Sequence, residues 1–393
     1  MRKLKSDRPL VSNLEVGMVY ENHVISDHTL EITDVIPVTI CAVRNYPAWV
    51  IVKIQTAQGV EGIGEGFTWA GQAGSVANYI SLIGQQILGC SPCGIQPLME
   101  CLRPKANDRN WSAAVSAVEI ALWDILGQIV DLPVYDLLGG AVREKIPLYA
   151  DHGIFSGASD WEECIERILA AKENGFGMFK WDPFEGGGTP TLRDLQDQIR
   201  KVEMVRDAVG SEYQIAIDAH NRFSVDGAIM AAQALEPFNI LFFEAPTADD
   251  PERLKQVANA TDIPLATGEL TCTRQEANAL FDSGSLGVFQ PEVGTNGGIL
   301  ETVRTADLAE TYGLKIATHN WCGPVIMRAA SHACSVIPNL LFQEYAGGAP
   351  IDSWENELLI PPTRIVNGHL VLPDLSGLGF KLNESLVSSK QID

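Results

Sequence analysis

Charged side chains follow short apolar runs at a regular interval over the second half of the chain. From Asp218 onward the interval is 23 to 27 residues, and amphipathic segments of helical length lie between the runs. A repeat of strand, polar strand end and helix is typical of a TIM-type barrel, which brings every strand end to one rim. The side chains expected to share that rim are Lys180, Asp182, Asp218, His220, Glu244, Glu269, Glu292, His319 and Glu344.

Three consecutive strand ends carry the carboxylates Asp218, Glu244 and Glu269. Bare carboxylates on neighbouring rim positions repel one another. A hard divalent cation removes that conflict, and oxygen ligands favour Mg²⁺ or Mn²⁺ over zinc. The alternative, in which each acid pairs with a lysine or arginine, is disfavoured because only Lys180 and Arg222 lie near these strand ends. We therefore predict one magnesium ion per subunit, for which Mn²⁺ can substitute.

Two histidines are candidates for proton transfer. His220 lies two residues after Asp218, so strand alternation is expected to aim both side chains to the same side, beside the metal. His319 ends the strand after Glu292, and a carboxylate beside an imidazole fixes its tautomer and raises its basicity. A lone histidine is more often structural, but these two share the rim with predicted ligands.

Together these groups predict the removal of a proton next to a carboxylate. Lys180 and the metal would bind the carboxylate of a small-molecule substrate. Because an α-proton is weakly acidic, stabilisation of the enediolate charge has to supply most of the catalysis. One histidine would take the α-proton and the other would protonate a leaving β-hydroxyl. Glu344, across the rim, would donate to or accept from the enolate if its pKa is raised.

The remaining segments have to position this rim. Residues 1–28 are expected to form an extension, either an arm against a neighbouring subunit or a loosely ordered tail. Residues 29–140 contain three strand-like segments and an alanine-rich helix at 111–130, apolar almost all round and therefore buried. The barrel is expected at 141–349. The segment 350–393 is expected to fold back on the N-terminal unit.

Composition limits the partners and the location. A net charge of −22 disfavours a nucleic-acid partner, which needs a clustered basic surface. No stretch approaches 18 uninterrupted apolar residues, so we expect no membrane span, and the start of the chain predicts no secretory signal. The eight cysteines contain one C-x-x-C without a second pair or a nearby histidine. Reduced thiols in a cytoplasmic protein are expected.

The motifs K-x-D, D-x-H, F-F-E-A-P, T-G-E, Q-P-E and T-H-N, after W-D-I-L-G and D-L-L-G-G, resemble the enolase superfamily. Within it, the chain is most similar to the mandelate racemase subgroup and its sugar-acid dehydratases, such as galactonate and gluconate dehydratase. The resemblance implies an α/β fold: a (β/α)7β modified TIM barrel under an α+β capping domain completed by the C-terminal tail. It also implies one magnesium ion and a homo-oligomer, an octamer or a dimer. The implied roles are metal ligands for Asp218, Glu244 and Glu269, general base for His319, general acid for His220 and contact with the enolate oxygen for Glu344.

Two positions depart from the family pattern. The racemases have K-x-K, whose second lysine is a base, whereas this chain has Asp182 there. That difference disfavours a two-base racemase, and the histidine of D-x-H favours dehydration. The partner of the catalytic histidine is normally an aspartate, and Glu292 adds a methylene that is expected to shift the pair.

We therefore predict a magnesium-dependent dehydratase of an aldonic or aldaric acid that yields a 2-keto-3-deoxy acid. A racemase, epimerase or lactone cycloisomerase with the same enediolate is the alternative. A catalytically silent binding barrel is disfavoured because all the expected groups are present.

No motif marks the residues that read the substrate. The loop 66–75, with small residues from Gly71, is predicted to be a mobile flap. Trp69 on that loop and Arg44 before it can face the substrate or serve only in packing. The predicted substrate-binding residues are Lys180, Asp182, Trp69, Arg44 and Trp321.

Overall fold

The structure is a computed structural model that describes residues 30–41, 48–69, 71–106, 108–155, 158–184, 186–345 and 354–392. The predicted extension 1–28 and the candidate Arg44 lie outside these ranges.

The N-terminal unit contains an antiparallel sheet with strand order β1-β2-β3, covered by helices. Gly59, with φ of +79°, lies in the turn between the second and third strands, which pair as an antiparallel hairpin. The strands are β1 (Ile32–Ile40), β2 (Trp49–Thr56) and β3 (Glu61–Gly66). The helices are α1 (Ala73–Ile87), α2 (Ile95–Leu102), α3 (Arg109–Val130) and α4 (Val134–Leu137).

The predicted buried helix is α3, in which every side chain from Ser112 to Ile125 is buried. Among the described residues it is the single helix long and apolar enough to cross a membrane. However, 78% of its most apolar stretch is buried inside the protein. Its composition is that of a core helix.

Strand β3 approaches α3 closely because it carries glycine at alternate positions. A Cβ atom at Gly62 would overlap the carbonyl oxygen of Ala121, and one at Gly64 would overlap that of Ala117. Alternate strand residues point to opposite faces of a sheet. The glycine face therefore packs on the helix, and Glu65 on the other face reaches toward the second unit.

The second unit is a closed parallel barrel, in which the last strand pairs with the first. In the described residues, eight strands alternate with seven helices, so the predicted (β/α)7β architecture is confirmed. The strands are β4 (Lys145–Ala150), β5 (Met178–Trp181), β6 (Gln214–Asp218), β7 (Ile240–Glu244), β8 (Leu265–Thr267), β9 (Leu286–Phe289), β10 (Lys315–Thr318) and β11 (Leu340–Tyr345). The helices are α5 (Trp161–Glu173), α6 (Leu192–Val209), α7 (Val225–Leu235), α8 (Pro251–Ala258), α9 (Arg274–Asp282), α10 (Ile299–Thr311) and α11 (Pro324–Val336).

The C-terminal tail contacts both units. Strand β14 (His369–Val371) pairs antiparallel with the beginning of β4. Further on, the amide of Cys41 donates to the carbonyl of Lys390, and the amide of Ile392 donates to the carbonyl of Thr39. The tail elements are α12 (Trp354–Glu357), β12 (Leu359–Ile360), β13 (Arg364–Val366), β14 (His369–Val371), β15 (Lys381–Leu382) and α13 (Glu384–Lys390).

Candidate active site

Lys180, near the end of β5, lies among the acids of the rim. Its Nζ atom is 2.9 Å from Glu244 Oε2, 3.1 Å from Glu344 Oε1 and 3.6 Å from Asp218 Oδ2. Burial alone would lower the pKa of Lys180, but the carboxylates of Glu244 and Glu344 raise it well above its usual value. The lysine is therefore charged. The acid–lysine pairing that the sequence disfavours is present at two of the three predicted ligands.

The three predicted metal ligands lie at the C-terminal ends of the adjacent strands β6, β7 and β8. Asp218 and Glu244 are register partners, and Glu269 lies two residues beyond β8. Burial raises the pKa of Glu244, and the negative charges of Asp218 and Glu269 raise it further. The side-chain Nε2 of Gln290 donates to Glu244 Oε2 at 2.6 Å, which fixes that carboxylate. The three acids thus converge closely enough to repel one another.

This set of donors suits a divalent cation in chemistry and charge. Carboxylate oxygens are the ligands that Mg²⁺ prefers. Within the described ranges, no three His, Cys, Asp or Glu side chains already surround a common point as metal ligands. The Lys180 ammonium lies between Asp218 and Glu244 and supplies the counter-charge there. A bound cation would therefore compete with this lysine for the same oxygens.

His319 and Glu292 form a hydrogen-bonded pair beyond the ends of β9 and β10, where they also make an isolated parallel bridge. The Nδ1 atom of His319 lies 2.7 Å from Glu292 Oε2. The other oxygen, Oε1, accepts the amide of Gly294 at 2.7 Å. The longer glutamate therefore reaches the imidazole at an ordinary hydrogen-bond distance.

The free nitrogen of His319 faces carboxylates. Its Nε2 atom is 3.3 Å from Glu269 Oε2 and 3.9 Å from Glu344 Oε2. Burial alone would lower the pKa of His319, but Glu269 and Glu344 together with Glu292 raise it to about 10. This charge environment favours the protonated imidazole. A general base needs the neutral ring, so part of the surrounding negative charge has to be offset when His319 acts as one.

His220 reaches Asp218 by a different backbone path from the one expected. The φ angles of His220 and Asn221 are +48° and +57°, so the chain enters a left-handed turn just after β6. The expectation that strand alternation aligns the two side chains is therefore wrong. Even so, His220 Nε2 lies 3.4 Å from Asp218 Oδ2. Its side chain is 43% exposed, which leaves it open to a molecule entering the rim.

Asp182 contacts the Nδ1 side of the His220 ring, away from Asp218. Its Oδ2 atom lies 2.8 Å from His220 Nδ1 and also accepts the guanidinium of Arg222, while Oδ1 accepts the amide of Phe184 at 2.8 Å. Burial alone would lower the pKa of His220, but Asp182 and Asp218 raise it to about 9. With both oxygens engaged, Asp182 is placed to orient the histidine, whereas the sequence suggested direct contact with substrate.

The condition for Glu344 to act as a proton donor, a raised pKa, is not met. Burial alone would raise it, but the charges of Lys180 and His319 lower it to about 2. The amide of Asn320 also donates to Glu344 Oε2 at 2.8 Å. Glu344 is therefore a carboxylate that accepts hydrogen bonds. Its neighbour Asp151 has a pKa raised well above the usual value, first by burial and then by the charge of Glu344.

Sequence reasoning missed three members of this cluster. Asp151 directly follows β4, so the strand-end rule would have found it had the rule been applied to the first barrel strand. Gln290 precedes Glu292 by two residues in the same Q-P-E motif. Cys322 donates its Sγ hydrogen to Glu292 Oε2 at 3.2 Å, and a single cysteine carries no sequence signal.

Two of the predicted substrate-reading residues lie near His319. The ring of Phe67 packs edge-on against His319 at 5.8 Å and against Trp69 at 5.0 Å. Trp321 lies on the short segment between β10 and α11. The predicted flap 66–75 is wrong in extent, because β3 continues through Gly66 and α1 begins at Ala73.

Two known protein families match this chain, one over the N-terminal unit and the other over most of the barrel and the tail. The N-terminal domain profile of mandelate racemase / muconate lactonizing enzyme matches residues 28–139, and the profile of the enolase C-terminal domain-like family matches residues 163–386. The chain belongs to the mandelate racemase group of the enolase superfamily. Within that group it resembles the sugar-acid dehydratases.

Two curated relatives illustrate that likeness. The chain is 32% identical over 310 residues to a D-galactonate dehydratase of Cronobacter sakazakii, covering 78% of this chain and 80% of the relative. It is 30% identical over 353 residues to a D-galactonate dehydratase of Ralstonia pickettii, covering 88% and 91%.

Solved structures of superfamily members share the fold. A mandelate racemase/muconate lactonizing enzyme-like protein from Rubrobacter xylanophilus superposes with a TM-score of 0.85 at 30% identity, over 93% of this chain and 98% of that one. A mandelate racemase/muconate lactonizing enzyme from Jannaschia gives a TM-score of 0.84 at 28% identity, over 92% and 98%. The predicted capping unit and barrel are therefore shared with this group.

Proposed function

We propose that this enolase-superfamily enzyme is a magnesium-dependent dehydratase of an aldonic or aldaric acid that forms a 2-keto-3-deoxy acid. The observation that carries the proposal is the presence of two separate histidine–carboxylate pairs around one cluster of acids. His319 pairs with Glu292 at 2.7 Å, and His220 pairs with Asp182 at 2.8 Å. One reaction that needs both a base and an acid is the loss of water from a hydroxy acid. The likeness to D-galactonate dehydratases supports the same class.

Asp218, Glu244 and Glu269 would hold the magnesium ion. When bound, Mg²⁺ would supply Lewis-acid stabilisation of the charge that develops on the substrate carboxylate. Lys180 is placed beside these acids, and its raised pKa keeps the ammonium charged to attract the same carboxylate.

In the proposed reaction, His319 Nε2 takes the proton from the α-carbon, because Nδ1 is committed to Glu292. The electron pair of the broken C–H bond moves into the enediolate. His220 Nε2 then gives a proton to the β-hydroxyl, which leaves as water, because Nδ1 of this ring is held by Asp182. The resulting enol becomes the 2-keto acid by tautomerisation.

An isomerase that uses the same first step is the alternative. The residue at the second position of K-x-D argues against a two-base racemase, because Asp182 is occupied by His220 and Arg222. An epimerase or lactone cycloisomerase stays open. We also propose a cytoplasmic homo-oligomer, an octamer or a dimer, whose size light scattering would measure.

A screen of sugar acids with Mg²⁺ tests the proposal. Each acid is incubated with the enzyme, keto acid is detected with semicarbazide, and the product mass is measured. We expect a keto acid that is lighter than its substrate by one water. A product of unchanged mass would instead identify an isomerase. Absence of both products and of α-proton exchange with every acid would contradict the proposed function.

A further inference from the structure

The helices that follow the two halves of the His319–Glu292 pair lack caps of their own. Helix α10 comes after the segment that carries Glu292, and α11 begins five residues after His319. Their N-cap residues are Gly298 and Gly323, and neither makes a side-chain cap hydrogen bond. The first amides of a helix have no partner inside it and need one from elsewhere.

Those partners come from the capping domain. Glu65, on β3, accepts the amides of Gly323 at 2.7 Å and of Val325 and Ile326 at 3.1 Å each. These contacts use both carboxylate oxygens, Oε1 for Gly323 and Oε2 for the other two. Because Pro324 has no amide hydrogen, Glu65 serves every donor of the first turn from Gly323 to Ile326.

Glu119, on α3, makes the same kind of contact with α10. It accepts the amides of Ile299 at 2.8 Å and Leu300 at 3.0 Å. Like Glu65, it is only 1% exposed. Two buried carboxylates of one domain thus cap two helices of the other.

The glycines at these N-caps make room for the carboxylates. A Cβ atom at Gly323 would overlap Glu65 Oε1, and one at Gly298 would overlap Glu119 Oε2. At both helices, the glutamate of the capping domain therefore requires a glycine at the N-cap.

A third contact ties the capping domain to the pair itself. The amide of Phe67 donates to the carbonyl of Gly294 at 3.1 Å, and the amide of Gly294 donates to Glu292. The ring of Phe67 packs against the ring of His319. The residues 65–67 therefore contact the segments of both His319 and Glu292.

We propose that Glu65 and Glu119 are positioning residues of the active site, through which the capping domain holds His319 and Glu292 at hydrogen-bond distance. The consequence for turnover rests on the proposed function, whereas the consequence for the pair does not. In this arrangement the capping domain sets the geometry of the base in addition to covering the substrate.

The test compares Glu65→Gln and Glu119→Gln with Asp124→Asn. A glutamine offers one acceptor oxygen where Glu65 uses two. Asp124 is a matched control because it is also a buried carboxylate of the capping domain, and it accepts the amides of Ile63 and Leu378, neither of which belongs to α10 or α11. All three changes are expected to lower thermal stability.

The first readout is the downfield proton resonance of the hydrogen bond between His319 and Glu292, recorded without substrate and assigned by its loss in His319→Asn. We expect Glu65→Gln and Glu119→Gln to shift or broaden this resonance and Asp124→Asn to leave it unchanged. The second readout is turnover of the acid found in the screen. Since a misplacement of 1 Å can cost about a hundredfold, we expect kcat to fall about tenfold or more with KM nearly constant in the two glutamine variants.

Gly323→Ala tests the same contact from the barrel side, and its N-cap φ of −77° permits alanine. This variant should reproduce the effect of Glu65→Gln if the latter fails to fold. The proposal is overturned if Glu65→Gln and Glu119→Gln keep the resonance and the kcat of the wild-type protein, although they lose as much thermal stability as Asp124→Asn. The resonance is recorded without substrate. It therefore still tests the positioning role of Glu65 and Glu119 if the sugar-acid screen finds no substrate.

Discussion

The Oδ2 atom of Asp182 lies 2.8 Å from Nδ1 of His220, so the position at which the racemase pattern carries a second lysine here orients an imidazole. The same oxygen accepts the guanidinium of Arg222. This arrangement directs His220 Nε2 toward Asp218 and the open rim. At this position the racemase pattern has a base, whereas Asp182 here supports the candidate acid His220.

Replacing Asp182 by asparagine should separate the two proton transfers. We expect dehydration to slow by about a hundredfold, the lower range for loss of general acid catalysis, because His220 loses its carboxylate partner. Exchange of the α-proton in deuterated water depends on His319 and should stay within a few-fold of the wild-type rate. Both rates can be followed by proton NMR in one sample. Asp207→Asn, at an exposed position of α6, is the control. An equal fall in exchange and dehydration would contradict separate roles.

His319→Asn should abolish α-proton exchange. The asparagine keeps a polar side chain but removes the basic nitrogen, and general base catalysis supplies about 10² to 10⁴ in rate. The measurement is the loss of the substrate α-proton signal in deuterated water. His369→Asn is a suitable control, because β14 pairs with the beginning of β4, at the end of the barrel opposite the rim. Wild-type exchange in the His319 variant would show that another group is the base.

Magnesium should stabilise the folded protein. A ligand at a hundred times its Kd adds about 2.7 kcal/mol to the free energy of unfolding, which for a chain of this length corresponds to a rise in Tm of roughly 3 °C. We expect EDTA to remove this rise and added Mg²⁺ to restore it. In Glu269→Gln the Mg²⁺-dependent rise should shrink, whereas the exposed Glu203→Gln should behave as wild type. If Mg²⁺ does not change the Tm of the wild-type protein, the result contradicts the proposed metal site.

His332 makes stability depend on pH away from the rim. Its Nδ1 accepts the amide of Tyr135, its Nε2 faces the carbonyl of Leu378, and burial lowers its pKa from 6.5 to about 3. Below pH 6.5 the unfolded chain binds a proton that the folded chain does not. Stability from this group is therefore lost as pH falls from 6.5 toward 3, by at most about 1.4 kcal/mol per pH unit.

His332→Gln should remove that loss. The free energy of unfolding in urea is measured at pH 7.5 and at pH 5 for both proteins, and the drop between the two values should be smaller in the variant. His369→Asn, a histidine of β14 for which no such burial exists, should keep the wild-type drop. Equal drops in all three proteins would exclude His332 as the cause.

The barrel could be predicted because its strands and strand ends repeat at a fixed interval, so each element is a local signal. The same signal identified Asp218, Glu244 and Glu269 as neighbours, since adjacent strands place their ends side by side. The capping helix α3 was equally local, because a helix apolar on every side has to be buried.

The charge states and the contacts between domains could not be predicted in this way. The lowered pKa of Glu344 depends on Lys180, which lies across the barrel rim, and on His319. The backbone path at His220 depends on a left-handed turn, and the sequence has no glycine there that would predict it. The cap that Glu65 provides for α11 joins residues 258 positions apart, a distance over which a single sequence carries no pattern.

The contacts of the C-terminal tail have a consequence for the order of folding. Strand β14 pairs with the beginning of β4 of the barrel, and the backbone of residues 39–41, at the end of β1, bonds to residues 390–392. During synthesis on the ribosome, both units therefore wait for the segment 364–392, which is made after all their other strands. Such long-range pairing slows folding and leaves apolar surface exposed in the meantime. Neither unit should therefore complete its fold before this segment has left the ribosome, and the nascent chain should be a substrate for chaperones.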